Sequence, residues 1–289
     1  MALTLNTNII SLKVQGNLNA ASKEMNTAIE RMTTGYRINC SMDDAAGYSI
    51  AVQMEADLGS YNVASDNTQI GSDMLTTLEG NYDLINGHLQ RVRELTEQAS
   101  NDTYGDQSRE AIEAEIIARF EEISRIAKSC NYNGLFLMDG SVAGTGGYNI
   151  QVGIDGEETS RINLSEDIFA ECTSTALFDG TGTPEEIAEK CAGLVDGTKA
   201  YEMLDVLDEA MANVSARVTT LGAAQNKLQS AASSIEVATI NQTSSLSTIR
   251  DADIAEESTS YIQKQIIQNA AATLLSTANQ TPSIALDLI

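Results

Sequence analysis

Apolar side chains return at alternating steps of four and three from Ile50 to Ala99, and no other feature limits the fold of this chain as tightly. Met54, Tyr61, Thr68, Leu75, Tyr82, Leu89 and Thr96 share one heptad position, and Ile50, Asp57, Ala64, Gly71, Leu78, Ile85, Val92 and Ala99 share the other. Eleven of these fifteen residues are apolar, so the pattern specifies a helix with a coiled-coil seam rather than a strand. The spacing predicts one helix from about Asp44 to Asn101. With a rise of about 1.5 Å per residue it makes a rod of roughly 85 Å, far longer than an ordinary globular helix. Ser41 and Asp43 offer N-caps at its start, and Gly35 is placed to end the helix before it.

A seam needs something to cover it, and matching patterns occur downstream. Ala200, Leu207, Val214, Leu221, Leu228, Ile235 and Ile249 share one register, with Leu204, Met211, Val218, Ala232 and Leu246 in the companion register and polar breaks at Gln225, Thr239 and Gln242. A shorter helix from about Asp106 to Ser129 aligns Ile112, Ile116, Phe120, Ile123 and Ala127 on one stripe. The three segments predict a helical bundle. Between them, residues 148–154 alternate at period two, and Asp155-Gly156 supplies a turn before Ile162 and Leu164, which predicts a β-hairpin. Residues 166–199 hold Gly180, Gly182, Pro184, Gly193 and Gly197, enough for one short helix starting at Pro184. The expected fold class is therefore mainly α: a long coiled-coil-like bundle with a small β-hairpin.

Charge and composition exclude several functions. A net charge of −24 over 289 residues leaves no basic face for nucleic acid. The stretch from Asp155 to Glu209 holds fifteen acidic residues against three basic ones and reads as a solvated face, without the spacing of a calcium-binding loop. His88 is the only histidine, and Cys40, Cys130, Cys172 and Cys191 are too scattered for a zinc site or a disulfide framework, so free thiols are expected. No convergent nucleophile, acid–base pair or ligand set suggests an enzyme or a cofactor. Gly144-Thr-Gly-Gly147 lacks the lysine and spacing of a phosphate-binding loop and reads as loop glycine. No window has the length and apolarity of a membrane span, and Met1 to Ile10 lacks the basic start and apolar core of a secretory signal.

The two ends differ from the centre. Residues 1–35 carry Lys13, Lys23 and Arg31 against Glu24 and Glu30, and residues 261–289 carry only Lys264 and Asp287. Each end shows one weak apolar stripe: Leu18, Ala21, Met25, Ala28 and Met32 in the first, and Ile262, Ile266, Ala270, Leu274 and Ala278 in the last. So little apolar surface does not offset the entropy of ordering a lone chain, which predicts frayed ends that find partners in other copies. Leu18, Met25, Ile29, Met32, Ile262, Ile266, Leu274 and Leu275 are the candidate polymerisation residues.

Several stretches resemble one family. Leu5-Asn-Thr-Asn8, Ala28-Ile-Glu-Arg-Met32 with Gly35, Arg37-Ile-Asn39, Asp43-Asp-Ala-Ala-Gly47 and Leu89-Gln-Arg-Val-Arg-Glu-Leu95 are similar to the N-terminal region of bacterial flagellin. Leu221-Gly-Ala223 with Gln225-Asn226, Arg250-Asp-Ala-Asp253 with Glu256, and Ala278-Asn-Gln280 with Pro282 resemble its C-terminal region in the same order. Cys40-Ser41 and Thr248 depart from the usual pattern, where a Ser-Ala pair and an Arg are common.

The resemblance implies a secreted, extracellular structural subunit that polymerises into the flagellar filament after flagellar type III export. Residues 1–40 and 251–289 would form its inner helical layer, residues 41–164 and 200–250 its rod and hairpin, and residues 165–199 a short acidic outer segment. It also implies an export chaperone, a filament cap and hook-junction proteins as partners, with a hook–filament junction protein as the alternative identity. Arg91, Leu95 and Glu115 match the residues by which an animal innate immune receptor contacts flagellins, although the same surface serves packing between subunits.

Overall fold

The computed structural model describes residues 8–142, 144–177 and 197–286, and the short helix expected at Pro184 lies outside them, as does Cys191. The heptad seam becomes helix α2, Ala45–Ala99. It follows α1, Ile9–Thr34, and precedes α3, Asp106–Ser129. Two small hairpins come next: β1, Asn131–Tyr132, with β2, Leu135–Phe136, and β3, Tyr148–Gln151, with β4, Arg161–Leu164, both antiparallel. A turn of helix, α4, Ser174–Leu177, precedes the two last helices, α5, Gly197–Arg250, and α6, Ile254–Leu286. The fold is mainly α, as the periodicity requires. The chain divides into two units, Met1–Leu58 with Ile240–Ile289, and Gly59–Thr239.

Within 59–239, α2, α3 and α5 share one core. Leu75, Leu78, Tyr82, Ile85, Leu89 and Val92 from α2 meet Ile116, Phe120 and Ile123 from α3 and Leu207, Val214, Leu221 and Leu228 from α5, all essentially without solvent exposure. Aliphatic side chains at this burial each contribute about 1.5–3 kcal/mol. Gly71 breaks the apolar pattern for a packing reason: a Cβ there would lie 3.3 Å from Ile150 of β3 and 3.4 Å from Leu228 of α5, so the gap in the seam seats the hairpin. Tyr82 is fully buried and its hydroxyl donates to the carbonyl of Ile168 at 2.8 Å, which fastens the segment after β4 to the bundle. Arg217 of α5 donates to the carbonyls of Ala170 and Glu171 at 3.2 and 2.9 Å and holds the same segment from the other side. Arg93 and Asp208 pair at 2.7 Å between α2 and α5.

Four local expectations are corrected. Ile50 is 49% exposed, and Gly47 and Ala51 hold the buried face of α2 there instead. On α5 the companion positions are Met203, Ala210 and Ala224, each a step of three or four from Leu207, Val214, Leu221 or Leu228, while Leu204 and Met211 are half-buried. The β3–β4 connection is not a two-residue turn at Asp155-Gly156. The amides of Val152 and Gly153 both donate to the Ser160 carbonyl at 2.9 Å, a bulge that ends the ladder at Gln151↔Arg161. The start of α2 is capped by Asp44, whose Oδ1 accepts from Ala46 and Gly47 at 3.1 and 3.0 Å, rather than by Ser41 or Asp43.

The first hairpin is an addition to the sequence reading. Asn133 and Gly134 occupy the left-handed region, at φ 49° and 82°, as a tight two-residue hairpin turn requires. Gly147 is also obligatory: its φ is 86°, and a Cβ would fall 1.8 Å from the Leu164 carbonyl.

Candidate functional site

In the unit formed by the two ends, α1 and α6 run antiparallel along each other. Asn8 caps α1 by accepting from the Ser11 amide at 3.0 Å, and its own amide donates to the Ala278 carbonyl at 2.7 Å. Further along, Ser11 meets Asn279 at 2.9 Å, Gln268 donates to Ser22 at 3.0 Å, Glu24 pairs with Lys264, and Arg31 pairs with Glu257 at 2.9 Å. Arg31 lies in the last turn of α1 and Glu257 in the first turn of α6, so each charge also suits the dipole of its own helix.

The seam between these helices is small and partly polar. Among the described residues its buried members are alanine: Ala21 and Ala28 on α1, Ala271 and Ala278 on α6. Leu18, Met25, Met32 and Leu275 line it half-buried, beside Lys264 and Gln268. The large aliphatic residues point the other way. Ile9, Leu12, Ile254, Ile262, Ile266 and Leu274 are between 48 and 62% exposed, and Ile29 is 41% exposed. A pair that buries methyl groups between its helices and displays isoleucine and leucine outside inverts the arrangement of a self-sufficient hairpin.

The eight candidate polymerisation residues thus divide. Leu18, Met25, Met32 and Leu275 face the companion helix of the same chain, while Ile29, Ile262, Ile266 and Leu274 face outward. The stripe at spacing four on α6 is not the pairing face. Residues four apart drift around a helix with 3.6 residues per turn, and the face toward α1 follows Glu257, Tyr261, Lys264, Gln268, Ala271, Leu275 and Ala278 at alternating steps of four and three. Ile9, Leu12 and Ile254 were missed, since they lie off any single stripe. Their signal was the presence of large aliphatics in helices otherwise rich in Asn, Gln, Ser and Thr.

The junctions at the base of the pair are tightly bonded. Gly35 ends α1 at φ 77°, with its amide donating to Arg31 at 2.8 Å. The Asp43 carboxylate accepts from the amides of Cys40 and Asn39, both at 3.1 Å, and these bonds hold it below the usual carboxylate range, Cys40 first. Asp253 caps α6 by accepting from Ala255 and Glu256 at 2.8 and 3.3 Å. The Asp-Asp and Asp-Ala-Asp stretches quoted for the resemblance are therefore helix starts and a loop clamp.

In the other unit, Arg91 pairs with Glu115 at 3.3 Å and with Glu94 at 3.0 Å, both half-exposed or more. Arg119 reaches Glu115 at 3.5 Å and His88 at 3.4 Å. Leu95 does not join this surface: it is 2% exposed and belongs to the core, because the α2 seam takes it along with Val92 and Ala99. Of the three residues of the expected patch, Arg91 and Glu115 are the ones accessible on this surface. The Gly144–Gly147 loop holds its own acceptor, with the amides of Gly144 and Gly146 donating to Glu166 at 3.1 and 3.3 Å. Cys40, Cys130 and Cys172 are free thiols, and burial pushes the last two up to about 11. Among the described residues no helix is long and apolar enough to cross a membrane.

Comparison with known proteins agrees with this architecture. A family profile described as the bacterial flagellin N-terminal helical region matches residues 5–143, and one for the C-terminal helical region matches residues 204–289. Flagellin of Listeria monocytogenes is 32% identical, with 99% of each chain aligned. Flagellin of Halalkalibacterium halodurans is 31% identical over 99% of this chain and 100% of its own. A solved structure described as a flagellar hook-associated protein from Vibrio parahaemolyticus shares the fold at a TM-score of 0.60 and 15% identity, covering 72% of this chain and 100% of that one. Matched from end to end by flagellins and carrying both flanking helical regions in order, the chain belongs to the bacterial flagellin family.

Proposed function

We propose that the α1–α6 pair is the polymerising element of this chain, a structural subunit of the extracellular bacterial flagellar filament. The outward aliphatic residues carry this reading. Ile29, Ile262, Ile266 and Leu274 stay 41 to 62% exposed in the chain's own helix pair, and burial against further copies removes that remaining surface from water. Leu18, Met25, Met32 and Leu275 hold the pair together so that the outer face is presented in a fixed register. A contact between unlike surfaces of identical subunits does not close on itself, and repetition gives a helical filament. Residues 1–40 and 251–289 then form the inner layer and residues 41–164 and 200–250 the rod and hairpin; of the expected acidic outer segment 165–199, the start is packed on the rod through Ile168, Phe169 and Cys172, which leaves the later residues to keep filaments apart.

Export through the flagellar type III channel, an export chaperone, a filament cap and hook-junction proteins follow as proposed partners from the family. A hook–filament junction role is less well supported, since the relatives that align over the full chain are flagellins. Deleting residues 262–289 tests the reading. The truncated chain should keep the helix content of its central bundle and form no filaments by electron microscopy, and normal filaments would refute it.

A second reading concerns immune recognition. The half-exposed Arg91–Glu115 pair supplies a charged, directional contact of the kind that anchors protein interfaces. Arg91→Ala and Glu115→Ala should weaken binding to the purified innate immune receptor for flagellin, and unchanged affinity in both would remove this reading.

A further inference from the structure

The chain enters and leaves the terminal helix pair at two junctions, and one side chain touches the parts of both. Arg250 is the last residue of α5. Its guanidinium lies over the ring of Tyr36, 4.4 Å from the centroid, and pairs with the Glu55 carboxylate of α2. The main chain makes a parallel set of links. The Arg37 amide donates to the Arg250 carbonyl at 2.6 Å, the Ala252 amide to the Gly35 carbonyl at 2.9 Å, and Tyr36 and Asp251 form an antiparallel bridge. The Arg37 guanidinium donates to the Ile249 carbonyl at 2.6 Å, satisfying one of the carbonyls that every helix end leaves open.

We infer that Arg250 is a positioning residue that ties the α1–α2 and α5–α6 junctions into one clasp, so that α1 and α6 reach neighbouring copies already paired and in register. The inference rests on the terminal pair being the polymerising element.

The side chain, rather than the main-chain bridge, decides the strength of the clasp. Each backbone bond contributes modestly on balance, because water competes for the same groups. The guanidinium is mostly buried, with its Nε lacking a hydrogen-bond partner, so Glu55 supplies the counter-charge that makes its burial tolerable. A guanidinium, with its spread of N–H groups, can lie over Tyr36 and pair with Glu55 at once, which the compact ammonium of a lysine matches poorly. The end of α5 is thereby joined through one group to both the first junction, at Tyr36, and helix α2, at Glu55.

The test uses the full chain with Arg250→Ala, Arg250→Glu, Glu55→Arg, the double charge swap Glu55→Arg/Arg250→Glu, and Tyr36→Leu. Three quantities are read: the critical concentration for polymerisation by sedimentation, hydrogen exchange at residues 35–44 and 250–254, and thermal unfolding of the central bundle. Arg250→Ala, Arg250→Glu and Glu55→Arg should each raise the critical concentration about tenfold, and Tyr36→Leu about threefold, with the bundle transition unchanged. Exchange should quicken at both junctions together. The double swap should recover a large part of the loss, though not the stacking on Tyr36.

No recovery in the swap, or faster exchange confined to residues 250–254, would overturn the inference. Residues 262–289 serve as the reference deletion. If the truncated chain still polymerises, the assembly reading itself fails. If it does not, while every clasp variant polymerises like the parent, the clasp alone fails.

Discussion

Replacing two outward isoleucines of α6 with serine separates the stability of a single chain from the stability of the polymer. Ile262 and Ile266 are 54 and 62% exposed. Serine has a helix propensity close to that of isoleucine, so Ile262→Ser/Ile266→Ser leaves α6 as a helix. Full burial of an isoleucine is worth about 1.5–3 kcal/mol, and a little over half of that surface remains to be covered at each position, which gives about 1–2 kcal/mol per residue on assembly. The pair then contributes about 2–4 kcal/mol for each subunit added, and its loss raises the critical concentration by about 30-fold to several hundred-fold.

In the monomer the same change should fall within about 0.5 kcal/mol of the parent, since surface substitutions away from packed groups have small effects. Sedimentation of polymer across a concentration series and denaturant unfolding of the monomer provide the two measurements. The reasoning is refuted if the critical concentration does not move, or if monomer stability falls as far as polymer stability. Leu18→Ser with Leu275→Ser is the complementary variant, because these residues line the seam inside the chain and should loosen the α1–α6 pair before assembly.

Three other outcomes follow from the core. Leu95→Ala should cost about 2–5 kcal/mol in denaturant unfolding, as a large-to-small change in a packed interior does, and any weaker receptor binding it shows should track that loss of fold. Gly147→Ala places a Cβ against the Leu164 carbonyl and should disrupt the β3–β4 ladder, visible as lost amide protection at Tyr148–Gln151 and Arg161–Leu164. Cys130 and Cys172 stay protonated in the folded chain up to about 11, whereas an exposed thiol in the unfolded chain ionises near 9. Their contribution to stability is therefore complete below about pH 9 and is lost as pH rises toward 11. Equilibrium unfolding at stepped pH checks this, and labelling at pH 8 should modify Cys40 well before the other two.

Much of the bundle was legible because large apolar residues dominate its seam. From Leu75 to Ala99 every heptad position on α2 is buried, with Leu95 added to them, and the α3 stripe from Ile116 to Ala127 is buried as read. Legibility faded where the seam was made of small or polar residues. Ala210 and Ala224 complete the buried face of α5 beside Leu207, Val214, Leu221 and Leu228, yet alanine contributes too little to an apolar pattern to outweigh Met211 beside it. On α6 the rule inverted: Lys264 and Gln268 line the pairing face and are half-buried, while Ile262 and Ile266 are exposed. Leu95 shows the converse error, in which a family role suggested an accessible residue and the seam claimed it.

Asn133-Gly134 is a strong short hairpin signal, and its two left-handed residues form a turn between strands too short for an alternating apolar pattern to show. The Arg250 clasp could not be read at all, since it joins residues about 200 positions apart through side-chain geometry.

Amide hydrogen exchange of residues 9–34 and 254–286, compared between monomer and filament, bears most directly on the claim that the terminal pair is completed only by other copies. In the monomer these amides should exchange far faster than those around Tyr82, Ile123 and Val214, and polymerisation should slow them by about a hundredfold or more. Terminal amides protected in the monomer as strongly as the bundle core, and unchanged in the filament, would contradict it.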